Sequence, residues 1–473
     1  MLFNSFEFLI FFPIVCIIFF LLGKKKYQNI FLLIASYYFY MNWKPIYAVL
    51  ILFSTVSTYL CGVLIEKYSG GGNSKARRIL FIISITLNLC ILFTFKYFNF
   101  INESVFTLLT TLGLKWYVPN LDILLPVGIS FYTFQAIGYL IDVSRGTIQA
   151  EKNFITYALF VSFFPQLVAG PIERAKSLLP QFHKNHSFNA DDVSEGSKQM
   201  LWGFFMKLCV ADVLSSYVDA IYNNVANHNG ISLLLATFFF AFQIYCDFSG
   251  YSNIAIGTAR IMGFHLMDNF RQPYFSTSIK DFWRRWHISL SSWFADYIYI
   301  PLGGNRVSFI RHLLNLMITF LISGLWHGAN WTFAIWGIVH GFYMIVDTMF
   351  RRVFPHVFER NPLFKMISTI FCFCMVCLAW IFFRANTITD AFSIINKILT
   401  NPGRPFYDIY VFVYGIASLA ILLIKDAKDA YGMKIGFLHA NSFAVRFISF
   451  ISLTAYIMLF GAMSADSFIY FQF

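Results

Sequence analysis

The sequence predicts an all-α integral membrane protein with about 11–13 transmembrane helices in one bundle. Of its 473 residues, 58% are hydrophobic and only 12% are charged, which is about half the charged fraction of a soluble domain. The mean hydropathy is +0.64. Apolar runs also recur along the whole chain and leave no stretch for a soluble domain. Together these observations exclude a soluble globular enzyme and a disordered chain.

The individual spans follow from length, since about 20 mostly apolar residues cross the hydrocarbon core of a bilayer. About twelve runs qualify, although several are short. They are 6–22, 28–42, 46–65, 79–98, 122–143, 200–221, 231–252, 313–329, 331–350, 363–383, 407–424 and 446–463.

The basic residues predict the orientation and account for the net charge of +12. Lys and Arg are retained in cytoplasmic loops, so placing 24–26 inside also puts 66–78 and 256–312 inside. The loop at 223–230 falls outside and carries no Lys or Arg. Both termini are predicted outside, and the basic loop at 384–406 is the one exception. Because the positive charge sits in these short loops, nucleic acid is rejected as a partner.

Two segments are predicted to be re-entrant or interfacial rather than spanning. Phe154–Gly170 is apolar but short, and Pro165 and Pro171 interrupt it. Irregular backbone at membrane depth is tolerated only where protein or a water-filled cavity covers it. Thr277–Ile300 is amphipathic and mixes Trp with Lys, Arg, His and Asp. We expect this second segment at the cytoplasmic face.

A histidine between two apolar runs is the strongest candidate for chemistry. Ionisable groups inside a membrane are costly and mark functional sites, and His327 lies between 313–322 and 332–346. His suits general acid–base chemistry near neutral pH. Trp326 and Asn330 are the candidate supporting residues, since Asn330 shares a helix face with His327 if the segment is helical. The alternative is a structural His bonded to a backbone carbonyl.

A second candidate is the cytoplasmic run from Trp283 to His287. Arg284 and Arg285 suit bidentate contacts with phosphate, and Trp283 and Trp286 suit stacking on a planar base. An acyl donor that contains a nucleotide would satisfy both features. The alternative is an interfacial aromatic belt whose arginines reach lipid phosphates.

The third candidate is Asp247, near the inner end of the otherwise uncharged span 231–252. It is expected to pair with a cytoplasmic Arg or to orient a His, and the alternative is a buried ion pair that holds helices together. His340 is set aside, because in a straight helix it would lie about 20 Å from His327. No His, Cys or carboxylate cluster has ligand spacing, so no metal site is predicted.

Taken in order, these clusters resemble the membrane-bound O-acyltransferase family, in particular its bacterial alginate O-acetyltransferase branch. The resemblance covers most of the chain. The matching segments are Leu125–Gln135, Phe164–Ile172, Asp247–Tyr251, Phe282–Leu290, Tyr299–Asn305, Gly324–Ala329 and Phe468–Phe473. A member of this family is expected to form a single membrane domain over 1–473. Its parts would be N-terminal helices (1–121), a catalytic core (122–350) and C-terminal helices (351–473).

The resemblance also implies the chemistry. His327 matches the essential intramembrane histidine of the family, and His287 matches a second histidine nearer the cytoplasm. Acetyl-CoA is the implied cytoplasmic donor substrate, with no tightly bound cofactor. The implied acceptor is an extracytoplasmic polysaccharide, often reached through a periplasmic or membrane-anchored acetyltransferase partner. Such a protein would be a multi-pass protein of the bacterial inner membrane.

The preferred hypothesis is acetyl transfer across the membrane through a central tunnel, with His327 as general base. Whether His327 instead carries a transient acyl group is left open by the sequence. A second hypothesis keeps the enzyme class but transfers D-alanyl or another acyl group to a cell-envelope polymer. A third is a non-enzymatic transporter or scaffold of a polysaccharide machine, which would need no acyl donor.

Overall fold

The fold is known from a computed structural model that describes residues 1–70, 74–168, 170–354, 362–433 and 436–462. Within these ranges all regular structure is helical, which confirms the predicted all-α class. The matching segment Phe468–Phe473 lies outside the described residues. Seven described helical stretches are long and apolar enough to cross a membrane. They are Pro45–Ser69, Ser74–Thr111, Gly230–Ile261, Phe309–His327, Trp331–Val353, Leu363–Arg384 and Phe443–Phe460.

The chain divides into two compact units, residues 1–197 with 255–267 and residues 198–254 with 268–473. The first contains α1 (Phe6–Leu21), α2 (Lys25–Met41), α3 (Ala48–Gly70), α4 (Ser74–Leu92), α5 (Phe98–Thr111), α6 (Ile129–Arg145), α7 (Phe154–Ser162), α8 (Phe164–Leu167) and α9 (Ala175–Phe182). Two helices contain unit boundaries, α10 (Ala190–Phe204) and α12 (Gly230–Ile261). The division does not follow the predicted subdivision at residues 121 and 350.

The second unit holds every predicted site residue. Its helices are α11 (Asp212–Tyr222), α13 (Ile279–Arg285), α14 (Ile288–Phe294), α15 (Phe309–His327), α16 (Trp331–Val353), α17 (Pro362–Arg384), α18 (Ile388–Thr400), α19 (Ile416–Tyr431) and α20 (Phe443–Phe460). Four π-helical stretches continue neighbouring helices at Phe93–Tyr97, Phe205–Ala211, Ala295–Tyr299 and Val411–Gly415. Short 3-10 turns lie at Pro45–Tyr47, Val225–Asn227 and Pro273–Phe275.

The predicted span 122–143 begins seven residues too early. Helix α6 starts at Ile129, directly after Gly128, whose backbone is left-handed with φ 72°. A side chain at Gly128 would also meet the carbonyl oxygen of Leu167 at 2.6 Å. The residues before Gly128 are apolar enough to resemble a span, but Pro126 holds the residue before it out of the helical region.

The predicted interruption of Phe154–Gly170 is present but has a different cause. Asn153 caps α7 by accepting from the amides of Ile155 and Thr156. The helix breaks at Phe163, with φ −54° and ψ 110°, whereas Pro165 lies in the first turn of α8. Proline fits a first turn because its missing N–H has no helical partner there. Pro165 therefore starts a helix instead of ending one.

Candidate active site

His327 is the last residue of α15 and is buried to 3% exposure. Its ring contacts three aromatic rings, with centroid distances of 5.1 Å to Trp326, 4.9 Å to Trp336 and 5.4 Å to Phe383. Trp326, the candidate supporting residue, therefore contacts the ring of His327 directly. These contacts place the imidazole among aromatic rings.

The turn after His327 separates it from Asn330. The helix ends because Gly328 is extended, with φ −160° and ψ 152°, so the expectation that the two residues share a helix face is wrong. Asn330 instead caps α16, where its side chain accepts from the amide of Thr332 at 3.0 Å. It also donates to the carbonyl of Asn386 at 3.3 Å. Asn330 therefore shapes the turn that carries His327.

Helices α15 and α16 pack backbone to backbone, which fixes where His327 lies. A Cβ added to Gly337 would meet the carbonyl oxygen of Phe320 at 2.5 Å, and one added to Gly324 would clash with the carbonyl oxygen of Phe333. Small residues are what allow helices in membranes to approach this closely. Gly324, the first residue of the matching segment Gly324–Ala329, therefore serves the packing of the two helices.

His287 lies between α13 and α14 with a left-handed backbone, φ 43° and ψ 55°. This conformation is uncommon for a residue other than glycine. The ring is fully buried, and its Nδ1 lies 3.1 Å from the Oδ1 of Asn269. Asn269 Oδ1 also accepts from the amide and the hydroxyl of Ser289, at 3.3 Å and 2.9 Å. Sequence reasoning missed Asn269, which has no motif of its own.

This network fixes the protonation of His287. A backbone amide can only donate, so the Asn269 atom that faces the Ser289 amide must be the oxygen. His287 Nδ1 must then carry the hydrogen, and Nε2 keeps its lone pair in the neutral ring. Burial lowers the pKa of His287 from its ordinary 6.5 to about 3. The imidazole is therefore neutral at physiological pH.

His327 and His287 are close neighbours, with ring centroids 6.5 Å apart, so two predicted catalytic residues do meet. A third histidine lies nearby, because His340 and His327 contact the same ring of Trp336, at 4.8 Å and 4.9 Å. The turn at Gly328 folds α16 back along α15, and the straight-helix separation used to set His340 aside is wrong. His340 Nδ1 accepts from the indole N–H of Trp283 at 3.3 Å.

Asp247 belongs to a buried ion cluster. Its Oδ1 lies 2.7 Å from the Nζ of Lys207, which is also 2.6 Å from Asp212 Oδ1. The ion partner that the structure shows is a lysine on the π-helical stretch Phe205–Ala211, where an arginine was expected. Removing one member of such a buried cluster leaves an uncompensated charge. Lys207 and Asp212 could have been found as charged residues five positions apart inside the apolar run 200–221.

The predicted donor-binding residues differ in how accessible they are to a ligand. Trp286 is fully buried and packs on the rings of Trp380 at 5.1 Å and Phe282 at 5.4 Å, so it is not accessible for stacking on a base. Arg284 is exposed. Arg285 Nε donates to Asp281 Oδ1 at 3.0 Å on the same helix. Only part of the predicted cluster is therefore presented to a ligand.

Two adjoining cavities share Lys280, Arg284 and Arg351 in their walls. The polar one, of about 360 Å³, has five basic lining residues and a single acidic one. The basic residues are Lys280, Arg284, Arg285, Arg351 and Lys365, and the acidic one is Asp281. This excess of positive charge suits an anion with several phosphate groups.

The second cavity, of about 370 Å³, is mainly apolar in its lining. Its apolar wall is formed by Leu290, Phe294, Leu316, Phe320 and Met344. Trp283 and Ser323 line it too, and Ser323 lies one helical turn before His327. The cavity therefore extends from basic residues to the immediate neighbourhood of His327. No group of three or more potential metal ligands occurs in the described part of the chain.

Comparison with known proteins decides the family. The family model described as "MBOAT, membrane-bound O-acyltransferase family" matches residues 148–389. This part of the chain contains His287, His327 and His340, and also the basic residues that line both cavities. The probable alginate O-acetylase AlgI of Pseudomonas aeruginosa is 42% identical over 402 residues, which are 85% of this chain and 75% of that protein. The chain belongs to the membrane-bound O-acyltransferase family.

Two further relatives of this membrane-bound O-acyltransferase differ in their acceptors. The probable alginate O-acetylase AlgI of Azotobacter vinelandii is 36% identical over 510 aligned residues, covering 100% of both chains. The peptidoglycan O-acetyltransferase of Helicobacter pylori is 34% identical over 79% of this chain and 74% of its own length. The family resemblance is therefore confirmed, and the protein is a multi-pass membrane acyltransferase by family.

Proposed function

We propose that this acyltransferase moves an acetyl group from cytoplasmic acetyl-CoA to an extracytoplasmic polysaccharide, directly or through a partner transferase. One observation carries the proposal. The apolar cavity runs from Lys280, Arg284 and Arg351 to Ser323, one turn from His327. A donor with a charged nucleotide and a long, thin acyl arm matches a basic entrance that continues into an apolar channel.

The two cavities divide the donor between them in this proposal. The phosphates of CoA occupy the polar cavity, where Arg284, Lys280 and Arg351 provide the charge-assisted contacts that Arg and Lys make with phosphate. The pantetheine arm lies along Leu316, Phe320 and Met344. The thioester is thereby brought toward His327 while the nucleotide stays on the cytoplasmic side.

His327 acts as general base in the proposed reaction. The acceptor hydroxyl gives its proton to the neutral imidazole while its oxygen attacks the thioester carbonyl carbon. The C–S bond then breaks, CoA leaves as the thiolate, and the thiolate takes up the proton. General base catalysis typically contributes about 10²- to 10⁴-fold in rate. His287, whose ring centroid lies 6.5 Å from that of His327, is kept neutral by burial, so it adds no positive charge that would oppose protonation of His327.

The acceptor and its delivery follow from the orientation. With the donor cavities on the cytoplasmic side, the product must emerge on the opposite side of the inner membrane, where an exported polysaccharide or a periplasmic or membrane-anchored transferase takes up the acetyl group. The relatives named as alginate and peptidoglycan acetylating proteins fit an acceptor that is a cell-envelope or exported glycan.

The test is transfer of radiolabelled acetyl from acetyl-CoA to glycan in membrane vesicles that contain the partner proteins. Wild type is compared with His327→Ala and with His265→Ala, an exposed histidine outside the site, at matched membrane levels. We expect His327→Ala to lose at least about 10²-fold in rate and His265→Ala to keep it. Normal transfer by His327→Ala would exclude this residue from the chemistry.

Acyl donors other than acetyl-CoA are separated by binding. Saturable binding of acetyl-CoA to the purified protein, weakened by Arg284→Ala, is expected if CoA is the donor. A folded protein that ignores CoA but accepts an acylated phosphopantetheine carrier protein would instead support transfer of D-alanyl or a similar group. A folded protein that binds neither donor would support a transport or scaffold role.

A further inference from the structure

Four ring N–H groups in the second unit are buried without a hydrogen-bond acceptor among the residues that the structure describes. They are the Nε1 groups of Trp286, Trp336 and Trp380 and the Nε2 of His340. Each of these side chains is 0% exposed. Buried donors in native proteins are nearly always paired with protein, water or ligand, so four in one place require an explanation.

The four rings form one contiguous cluster next to His327. Trp380 contacts Trp286 at 5.1 Å, Trp336 at 5.9 Å and His340 at 6.3 Å. Trp336 contacts His340 at 4.8 Å and the ring of His327 at 4.9 Å. The donors therefore come from α13–α14, α16 and α17 and share one aromatic environment. We call these four residues the N–H cluster.

His340 is a donor in this cluster because of Trp283. An indole N–H can only donate, so His340 Nδ1, which faces the Trp283 indole at 3.3 Å, must be the acceptor nitrogen. The neutral imidazole then carries its hydrogen on Nε2. The ring nitrogens of the N–H cluster that lack a hydrogen-bond partner are therefore all donors. Trp283, which donates to His340, also lines the apolar cavity, so a single side chain lies between His340 and the channel of the proposed function.

The chemistry of a matching ligand follows from this composition. A site with only neutral N–H donors and aromatic walls suits a small apolar group with an acceptor oxygen. It does not suit a cation, which brings further positive charge to the donors. A carbonyl oxygen on an acyl group has two lone pairs and no donor of its own, so it matches both the N–H groups and the apolar surroundings.

We propose that the N–H cluster binds the carbonyl oxygen of the acyl group that is being transferred, an assignment that rests on the acetyl-CoA function proposed above. When the acceptor hydroxyl attacks the carbonyl carbon, negative charge develops on this oxygen before the C–S bond breaks. N–H donors fixed in a water-excluded site stabilise such charge. This role is assigned most directly to Trp336, whose ring contacts that of His327, and to His340, whose ring contacts that of Trp336.

The test compares two unreactive donor analogues by equilibrium binding to the purified full-length protein. The first is a ketone analogue of acetyl-CoA in which CH₂ replaces the thioester sulfur, so the carbonyl is kept. The second is S-ethyl-CoA, in which CH₂ replaces the carbonyl. Wild type is expected to prefer the ketone by about 3- to 10-fold, the usual net effect of a neutral hydrogen bond.

Trp336→Phe and Trp380→Phe remove single N–H groups and keep an aromatic ring. In these variants the ketone preference is expected to fall toward 1, while any loss of packing affects both analogues alike. Trp202→Phe is the matched control. Trp202 is buried in the same unit and stacks on Phe205 at 4.9 Å, away from the N–H cluster, so its variant keeps the wild-type preference.

The outcomes separate this inference from the proposed function. If wild type binds both analogues but shows no ketone preference, or keeps it in the Trp336 and Trp380 variants, the N–H cluster holds ordered water or nothing, and the inference is overturned. If wild type binds neither analogue, the acetyl-CoA proposal itself fails, and this inference fails with it. A preference lost in both variants and kept in Trp202→Phe supports it.

Discussion

At the scale of single residues, the site depends on how two histidines are protonated. His287 is held by Asn269 with its hydrogen on Nδ1, and His340 is held by Trp283 with its hydrogen on Nε2. Asn269 belongs to no recognisable pattern in the sequence, whereas Trp283 lies in the run from Trp283 to His287. The two histidines therefore offer opposite chemistry near His327, a lone pair from His287 and a donor from His340.

Asn269→Asp is predicted to move the pH dependence of acetyl transfer. A carboxylate next to Nδ1 favours the imidazolium and raises the pKa of His287 from about 3, by about 1–3 pH units for such a neighbour. Since the charged ring has lost its Nε2 lone pair and opposes protonation of His327, activity should fall as the pH drops through the raised pKa. The measurement is the rate of transfer against pH, in which the acidic limb moves to higher pH.

Asn253→Asp makes the same chemical change on α12, where the Asn253 side chain accepts from Gln199 and donates to the carbonyl of Ser249, and serves as the control. Its acidic limb should stay with that of wild type. An Asn269→Asp profile that is uniformly lowered at every pH, without displacement, would show a structural defect and contradict the role of Asn269 in setting the protonation of His287.

At the scale of elements, the pair α15 and α16 positions the chemistry. His327 ends the first helix, Asn330 caps the second, and two glycines let the backbones touch between them. The sequence contained both glycines of this contact, but only the fold shows that Gly324 and Gly337 face each other across the pair. Gly324 and Gly337 meet because the turn at Gly328 folds α16 back along α15. The direction of that turn could not be predicted from the sequence.

Gly337→Ala is predicted to lower both stability and transfer. Its Cβ would lie 2.5 Å from the backbone carbonyl oxygen of Phe320, so the helices must separate and carry His327 with them. Overpacking of this kind costs about 1–3 kcal/mol. Thermal unfolding in detergent and the transfer rate both report the change.

Gly341→Ala is the matched comparison, one turn further along α16. Its Cβ would meet the sulfur of Met317 at 2.9 Å, and a flexible methionine side chain can move where a backbone carbonyl cannot. We expect a clearly smaller loss than for Gly337→Ala. Equal effects from the two substitutions would contradict the argument that backbone contact at Gly337 sets the position of His327.

At the scale of the whole molecule, the structure explains the one exception to the charge rule. Arg384 and Lys397, two of the three basic residues of the loop 384–406, are bound within the second unit. Arg384 donates to Asp219 Oδ1 at 2.6 Å. Lys397 donates to the carbonyls of Val225, Ala226 and His228 at 2.7 Å, 2.8 Å and 3.0 Å. Cations already held by carboxylate and carbonyl oxygens are poor indicators of the cytoplasmic side, so the orientation based on the other loops is kept.

This orientation is tested with single cysteines in a background from which the eight native cysteines are removed. Asn227→Cys and Ser308→Cys place exposed thiols in loops predicted outside and inside, respectively. A membrane-impermeant maleimide applied to intact spheroplasts should label Asn227→Cys only. Ser308→Cys should react after the membrane is permeabilised. The reverse pattern would put the donor cavities on the outer side and exclude cytoplasmic acetyl-CoA as their ligand.

The sequence by itself determined the helical membrane class and the family, and it singled out His327 and His287 as candidate site residues. Apolar runs and basic loops are local features of the sequence. The free energy of transferring a segment into a bilayer depends on the residues of that segment, so these features predict the spans without knowledge of the fold. The family segments likewise follow one another along the chain. Element ends were less predictable, as the start of α6 at Ile129 and the break at Phe163 show, because a backbone turn decided each of them.

Only the tertiary structure decided which side chains meet. His340 and Asn269 are distant in sequence from Trp283 and His287, the residues that they bond, and Lys207 pairs with Asp247 on another helix. None of these contacts was predicted. Trp286 was expected to face a ligand and is instead packed against Trp380. Such outcomes depend on the direction in which helices fold back on one another, which no single segment encodes. Hydrogen bonds that fix protonation then follow from those packed positions.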